Sequence, residues 1–305
     1  MRILVTGASG LLGLNISLEA AKEHTVFGVV NTQPLQGDGF TVIQSDLLFP
    51  GEVERIFKAA RPDWVIHCAA LANLEACEHN PTLARKLNAE LPGMIATAAR
   101  KMGARLAHIS TDAVFDGKKG NYTETDAPNP LSVYARTKLS GERAVADAYP
   151  QAIIARVNLF GWSISGKRSL AEFFFNNLQA GKTVMGFTDV FVNPLLANDL
   201  GEVLLSMLAE NLHGLYHVGS QESLSKYEFG VKIAEKFGFD PALIRPTFLS
   251  KAGLEASRSP NLSLCVDKLI HSLTASTPKL STDLDRFYKL YQQGYPRKIR
   301  IMSET

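Results

Sequence analysis

Cysteines are few in this chain, and none of them forms a C-x-x-C pair. Only three occur among the 305 residues, Cys68, Cys77 and Cys265, so all three cannot pair with one another. This argues against a small disulfide-stabilised secreted domain and gives no support to a zinc site built from cysteine pairs. We therefore expect a reducing, cytoplasmic setting.

Long apolar runs and a large excess of one charge are also missing. No segment approaches the ~18 consecutive apolar residues that span a bilayer, because acids interrupt even the apolar segment 194–212. The first residues lack both the basic start and the cleavage site of a signal peptide. The 32 basic and 30 acidic residues are spread along the chain and give a net charge of +2. We therefore expect neither a membrane nor a nucleic acid as a partner, and the basic run 297–300 is interpreted as a solvated tail.

The length and composition are those of a folded protein of about two domains. Hydrophobic residues make up 46% and charged residues 20% of the chain, close to the average of soluble domains. In the first half, short β-branched runs alternate with segments of helical spacing, which is typical of an α/β fold with a doubly wound parallel sheet. Strands are predicted at residues 3–6, 26–30, 41–44, 64–67, 106–109 and 153–157, and helices at 11–22, 52–60, 81–102 and 133–149.

After residue 161 this alternation becomes irregular, which predicts a smaller second region interleaved with the sheet. A helix is predicted up to residue 179 and another from residue 196, followed by a strand at 214–219 and helices at 227–237 and 282–291. We therefore assign residues 1–160 and 196–222 to the sheet domain and residues 161–195 and 223–305 to the second region. The run Phe173-Phe174-Phe175 fits either the core or the face of a homodimer.

A glycine-rich turn follows the first predicted strand. Residues 6–13 read Thr-Gly-Ala-Ser-Gly-Leu-Leu-Gly, with glycines three apart and a helix behind them. Glycine lets the backbone approach a pyrophosphate closely, and the free N–H groups of the helix start bind that anion. This context predicts a dinucleotide-binding, Rossmann-type sheet domain. The residues expected to contact the cofactor are Gly7, Ser9, Gly10, Leu11, Leu12 and Gly13.

The segment after the second strand carries neither common signal of cofactor preference. Asn31 stands where an NAD-specific site has a carboxylate for the adenosine ribose, and no lysine or arginine occurs between Asn31 and Glu54. We therefore expect NADP or NAD as cofactor, with a slight preference for NADP. Farther on, Asp46 and Leu47 follow the third strand. The Asp46 carboxylate fits an acceptor for the adenine amino group or, alternatively, a cap for the helix that starts at Glu52.

Tyr134 and Lys138 lie four residues apart on a predicted helix and therefore share one face of it. The fifth strand, which precedes this helix, ends at Thr111, on the edge of the sheet where open α/β folds bind ligands. A nearby ammonium stabilises a tyrosinate, so this pair suits proton transfer. The pattern predicts carbonyl reduction, with Tyr134 donating a proton to the oxygen, Thr111 hydrogen-bonding the same oxygen, and a nicotinamide giving the hydride.

Together, Thr-Gly-x-x-Gly-x-x-Gly, Ser-Thr-Asp and Tyr-x-x-x-Lys resemble the extended short-chain dehydrogenase/reductase family. Segments 67–70, 114–117, 137–142 and 258–261 are most similar to its dTDP-4-dehydrorhamnose reductase branch. The resemblance implies that Lys138 also holds the nicotinamide ribose and that Asn88 anchors Lys138 through water. It further implies contacts to the cofactor by Ala69, Ala70 and Val157, and contacts to the substrate by Asn73 and Arg258. The alternative for Arg258 is a structural ion pair, and the alternative for Asn88 is an ordinary surface residue of a helix.

This resemblance implies an NAD(P)H-dependent reductase of a nucleotide-linked 4-keto-6-deoxy sugar, a reaction of carbohydrate biosynthesis. Ala113 stands where a related 4,6-dehydratase has its glutamate, which disfavours dehydration. The rhamnose branch commonly has tyrosine at that position, and Trp162 is either a stacking surface for the sugar or a packing residue.

Two other functions are compatible with the same motifs. The chain also resembles the regulatory β subunit of methionine adenosyltransferase, which predicts NADP binding without catalysis. An epimerase that holds NAD tightly is the second alternative. No metal site is predicted, because Gly214 separates His213 from the strand that contains His217.

Overall fold

The computed structural model describes residues 1–251, 259–274 and 277–303. Its centre is a parallel sheet with helices on both faces. The strands, in chain order, are β1 Arg2–Thr6, β2 Thr25–Val30, β3 Thr41–Gln44, β4 Trp64–His67, β5 Arg105–Thr111, β6 Ile153–Val157, β7 Leu159–Phe160, β8 Val184–Phe187, β9 Phe191–Val192, β10 Leu195–Leu196, β11 Gly214–Val218, β12 Leu224–Ser225 and β13 Ile244–Thr247.

The helices lie between these strands and after them. They are α1 Leu11–Ala20, α2 Glu52–Ala60, α3 Leu74–His79, α4 Pro81–Arg85, α5 Leu91–Met102, α6 Val133–Ala148, α7 Leu170–Gln179, α8 Ala197–Ala209, α9 Lys226–Phe237, α10 Asp267–Ser272, α11 Leu280–Gln292 and α12 Tyr295–Ile301. Within these residues, no helix is long and apolar enough to cross a membrane.

Seven strands form the main sheet, in the order β3-β2-β1-β4-β5-β6-β11. Every neighbouring pair is parallel. The order runs outward in both directions from β1 and β4, which is the doubly wound arrangement, and it places a crevice at the carboxyl ends of these two strands. The predicted Rossmann-type α/β fold is confirmed.

Alternation along β1 explains why helices cover both faces of the sheet. Ile3 and Val5 belong to one buried cluster, which includes side chains of α1 and α8. Leu4, between them, belongs to a second cluster on the opposite face with side chains of α2 and α5. Successive side chains of a strand point to opposite faces, so a strand that is buried on both sides is apolar throughout.

The single helix predicted over 81–102 is wrong in detail. The structure divides it into α4, a π-helical turn at Lys86–Glu90, and α5. Pro92 is the second residue of α5, just after that turn, and proline has no N–H group to continue the α-helical hydrogen bonds. Isolated π turns occur frequently at functional sites, and this one contains the buried Asn88.

The interpretation of 297–300 as a solvated tail is also wrong. These residues belong to α12, in which Ile299 is fully buried. Lys298 forms an ion pair with Asp38, and the Met302 carbonyl accepts a hydrogen bond from the Gln36 N–H at 2.6 Å. The helix therefore packs against the segment that follows β2.

Trp162 is a packing residue of the second region. Its side chain is 2% exposed, stacks on Phe287 with ring centroids 4.1 Å apart, and donates a hydrogen bond from Nε1 to the Phe287 carbonyl. It therefore offers no stacking surface to a sugar. In α7, Phe174 and Phe175 are buried and Phe173 is exposed. The homodimer and the domain boundaries stay predictions.

Candidate active site

A cleft of about 710 Å³ lies at the carboxyl ends of the central strands. It extends from the glycine-rich turn to the start of α6, so it joins a place for a dinucleotide to a place for a second ligand. Its lining includes many of the predicted site residues, namely Gly7, Gly10, Leu11, Leu12, Gly13, Ala70, Asn73, Thr111, Tyr134, Lys138 and Val157.

The glycine-rich turn is packed so closely that side chains are excluded from it. A Cβ on Gly7, whose φ is +70°, would lie 2.8 Å from the Ala69 nitrogen, and one on Gly13 would lie 2.3 Å from the Gly7 carbonyl oxygen. Gly10 is the N-cap of α1, so the cap residue has no side chain that binds the N–H groups of the first turn. This backbone cradle at a helix start fits a pyrophosphate.

Thr111, Tyr134 and Lys138 meet across the cleft from this turn. Thr111 ends β5, and Ser132 caps α6 by accepting a hydrogen bond from the Ala135 N–H at 3.2 Å. This cap sets the start of the helix, so that Tyr134 and Lys138 both reach the cleft. The Lys138 ammonium donates to the Ile109 carbonyl at 2.5 Å, which fixes the buried lysine beside β5.

Burial shifts the proton affinities of both helix residues. It raises the pKa of Tyr134 to about 12, a shift that the charge of Asp112 increases and the Thr111 hydroxyl opposes. It lowers the pKa of Lys138 to about 8, whereas the negative charge of Glu142 acts in the other direction. At neutral pH, Tyr134 is therefore protonated and able to donate, and Lys138 is mainly charged.

Asn88 connects two elements of the site, and none of its hydrogen bonds is made to Lys138. Its Oδ1 accepts from the Leu71 N–H at 2.8 Å, and its Nδ2 donates to the Leu71 carbonyl at 3.0 Å and to the Thr137 hydroxyl at 3.2 Å. It therefore holds the segment after β4 against α6. The water-mediated link between Asn88 and Lys138 stays a prediction.

Asp112 is a cleft residue that the sequence reasoning gave no role. Its carboxylate is nearly fully buried, accepts from Asn158 Nδ2 at 2.7 Å, and accepts from the Thr111 hydroxyl at 3.0 Å. Burial raises its pKa to about 6. The polar run Ser-Thr-Asp at the end of a strand was the available signal, but only its threonine was assigned a role.

A buried ion pair lies one helical turn beyond Lys138. Glu142 and Arg156 make two hydrogen bonds, of 2.9 Å and 2.7 Å, and the Ser110 hydroxyl donates to Glu142 at 2.5 Å. Both charged side chains are almost completely buried. In the sequence, Glu142 lies four residues after Lys138 and therefore shares its helical face. This spacing was the signal that Glu142 lies near the site.

Several predicted cofactor residues lie outside the cleft lining. Asn31 is exposed after β2, and exposed Asp46 accepts from the Leu48 N–H at 3.0 Å. Asp46 does not cap α2, whose N-cap is Gly51, so that alternative is wrong. The other predicted residues outside the lining are Ser9, Leu47 and Ala69, and Arg258 lies outside the described residues.

Two cations from the second region line the cleft and were missed. Lys167 and Arg168 lie in the loop before α7, and Arg168 Nη1 donates to the Ser9 carbonyl at 3.3 Å. The chain distance between these partners is 159 residues. No local pattern in the sequence indicates this contact.

The chain matches one protein-family model over residues 1–293, that of the RmlD substrate binding domain. It is 34% identical over 291 residues to a probable low-salt glycan biosynthesis reductase, Agl14, of Haloferax volcanii, covering 93% of this chain and 96% of the relative. It is 32% identical over 265 residues to a dTDP-4-dehydrorhamnose reductase of Mycobacterium tuberculosis, covering 85% and 83%. It is also 31% identical over 282 residues to methionine adenosyltransferase 2 subunit beta of Danio rerio, covering 88% and 84%.

Solved structures share the fold over nearly the whole chain. A hypothetical dTDP-4-dehydrorhamnose reductase from Sulfolobus tokodaii has a TM-score of 0.82 at 32% identity, covering 93% of this chain and 98% of that one. A dTDP-4-dehydrorhamnose reductase of Bacillus anthracis, in complex with NADP, has a TM-score of 0.80 at 24% identity, covering 94% and 98%.

Proposed function

Because the chain belongs to the RmlD substrate binding domain family, we propose that it reduces a nucleotide-linked 4-keto-6-deoxy sugar with NADPH or NADH. Membership of the extended short-chain dehydrogenase/reductase family, predicted from the motifs, is confirmed by its relatives. The class of NAD(P)-dependent oxidoreductase is confirmed with it. The keto sugar and the roles of individual residues are our proposal.

The observation that supports this function best is the composition of the cleft. One cavity joins the glycine cradle of α1 to Thr111, Tyr134 and Lys138. The cradle and the helix start would hold the pyrophosphate, and Lys138 would hold the nicotinamide ribose; when bound, the cofactor supplies a hydride. The part of the cleft beside Tyr134 and Asp112 remains for the sugar.

The chain's own residues then manage the proton and the charge. Tyr134 donates its phenolic proton to the carbonyl oxygen, because its raised pKa keeps that proton in place at neutral pH. The Thr111 hydroxyl lies at the end of β5 on the same cleft and donates to the Asp112 carboxylate in the structure. It turns this single proton to the carbonyl oxygen as negative charge develops there. The buried Lys138 ammonium stabilises the tyrosinate that remains.

The test is oxidation of NADPH and of NADH by the purified protein with a dTDP-4-keto-6-deoxy sugar. We expect loss of the absorbance of the reduced nicotinamide with the wild type and its near absence with Tyr134→Phe. Oxidation that persists unchanged in the variant would contradict the role of Tyr134. No oxidation by the wild type, with cofactor binding retained, would contradict the reductase.

A regulatory subunit is the second candidate, and the 31% identity to methionine adenosyltransferase 2 subunit beta supports it. This candidate predicts that NADP binds without any oxidation and that the protein forms a complex with a methionine adenosyltransferase catalytic subunit. The epimerase alternative predicts NAD that copurifies and a sugar that changes configuration without net oxidation. The same assay, combined with size-exclusion chromatography and product analysis, separates the three.

A further inference from the structure

The carboxyl end of β2 lies directly beside the glycine-rich turn. The Ala8 N–H donates to the Val29 carbonyl at 2.9 Å, and a Cβ on Gly28 would lie 2.8 Å from the Ala8 side chain. Dinucleotide-binding folds bind the adenosine ribose at this end of the second strand. Ser9, which follows Ala8, therefore lies next to the expected ribose site.

The segment after β2 has no cationic side chain that could bind a 2′-phosphate. It contains no lysine or arginine before Arg55, and its Asp38 is paired with Lys298 of α12. A cation that binds this phosphate must therefore come from another part of the chain.

Arg168 is placed to be that cation. Its guanidinium reaches across from the second region to the Ser9 carbonyl, and its side chain is exposed to the cleft. Lys167 beside it also lines the cleft. Within residues 1–251, 259–274 and 277–303, neither side chain forms an ion pair with an acid.

The loop that holds Arg168 is fixed by a buried carboxylate. Glu172 is fully buried and accepts from the backbone N–H groups of Ser163 at 2.6 Å, Arg168 at 2.9 Å and Ser169 at 3.1 Å. The Gly166 carbonyl accepts from Asn176 Nδ2 at 2.7 Å. The backbone of Arg168 is thus in place before a ligand arrives, which lowers the entropic cost of binding.

We propose that Arg168 binds the 2′-phosphate of NADP, so that the second region, and not the segment after β2, sets the preference for NADP over NAD. This inference rests on the proposed use of a dinucleotide cofactor. The planar guanidinium suits a phosphate because it donates two parallel hydrogen bonds. The Arg168 guanidinium lies at the edge of the glycine cradle, with Nη1 3.9 Å from the position of a Cβ on Gly10. Because the pyrophosphate has its own donors in the first turn of α1, we assign the guanidinium to the adenosine end of the cofactor.

The test measures dissociation constants by titration calorimetry for NADP⁺ and NAD⁺, and for the fragments 2′,5′-ADP and 5′-AMP. We expect the wild type to bind 2′,5′-ADP more tightly than 5′-AMP. In Arg168→Gln, the dissociation constant for NADP⁺ should rise by about tenfold or more, as for the loss of a charged hydrogen bond, with that for NAD⁺ nearly unchanged. Arg168→Lys should give an intermediate loss, because it keeps the charge without the fork.

Arg245→Gln is the matched control, because it removes the same charge from an exposed side chain of β13 that lies outside the cleft lining. It should leave all four constants unchanged. Equal weakening of NADP⁺ and NAD⁺ in Arg168→Gln would overturn the inference, since it would indicate a contact with the pyrophosphate. A wild type without preference for 2′,5′-ADP would overturn it as well. Binding that follows our expectation in a protein without sugar-dependent oxidation would support the inference and contradict the reductase.

Discussion

Glu142 and Arg156 form a bidentate ion pair that is buried on the face of α6 that also carries Tyr134 and Lys138. Glu142 lies one turn after Lys138, and its charge keeps the pKa of that lysine from falling further on burial. The pair also closes a network with the Ser110 hydroxyl, next to Thr111. Charged and hydrogen-bonding side chains therefore hold β5, β6 and α6 together beside the site, although the surrounding sheet is apolar.

Removal of one partner should destabilise the whole protein. We expect Glu142→Gln to lower the free energy of unfolding by roughly 3–5 kcal/mol, because it leaves Arg156 buried without a counter-charge. Urea denaturation followed by circular dichroism measures this. Glu202→Gln, which breaks an exposed ion pair with Arg286, is the control and should cost at most about 1 kcal/mol. Equal costs for the two variants would contradict the role of burial.

Tyr134→Phe should separate binding from chemistry. The variant keeps the ring in place and removes only the phenolic hydroxyl, so we expect turnover to fall by ~10²-fold or more. The dissociation constant for the cofactor should change little, because Lys138 and the glycine cradle are retained. Steady-state kinetics and titration calorimetry on the same preparations provide the two numbers. A parallel loss of cofactor binding would point to damage of the site as a whole.

The glycine cradle should not tolerate a methyl group at its closest point. A Cβ at residue 13 would overlap the Gly7 carbonyl, so Gly13→Ala should displace the turn and weaken cofactor binding by more than about tenfold. Gly93→Ala in α5 is the control, since its new Cβ would come no closer to a neighbour than 3.2 Å, the distance to the Ala144 Cβ. Binding that is equally strong in both variants would argue against the cradle.

Asp112 should make the stability depend on pH. Its folded-state pKa of about 6 lies above its ordinary value of 3.8, so the folded protein holds this proton more tightly than the unfolded chain. The resulting stability is present below about pH 4 and is lost as the pH rises through about 6. Asp112→Asn removes this titration, so its stability relative to the wild type should increase over that window.

Urea denaturation of the two proteins at several pH values measures this difference. The comparison of variant with wild type cancels the titration of other groups, including the buried His67, whose pKa is lowered to about 3. A difference that stays constant from pH 4 to pH 7 would show that Asp112 does not titrate in this range.

Local chemistry in the sequence was sufficient for the sheet and for much of the cleft. The glycines at 7, 10 and 13 have to accept close backbone contacts, and Tyr134 and Lys138 share a helical face, so short segments alone reveal them. The β-branched runs predict a parallel sheet, because strands that are buried on both faces are apolar throughout.

The features that could not be predicted from the sequence depend mainly on contacts between segments that are distant in the chain. Arg168 reaches Ser9 only after the second region folds onto the first, and Trp162 is core only because α11 brings Phe287 against it. The segment 81–102 contains Pro92 within a helical pattern. The pattern alone does not predict that a π-helical turn forms before this proline. α12 was missed because one apolar residue in every turn is too weak a periodicity.

The packing of α12 has a consequence for biosynthesis. Tyr295 donates to Asn15 of α1, 280 positions earlier in the chain, and the Met302 carbonyl accepts from the N–H of Gln36 after β2, so these two segments are completed by residues that are translated much later. A ribosome adds ~5–20 residues per second, and domains otherwise fold as they emerge. These contacts of α1 and of the segment after β2 therefore cannot form until α12 has left the exit tunnel.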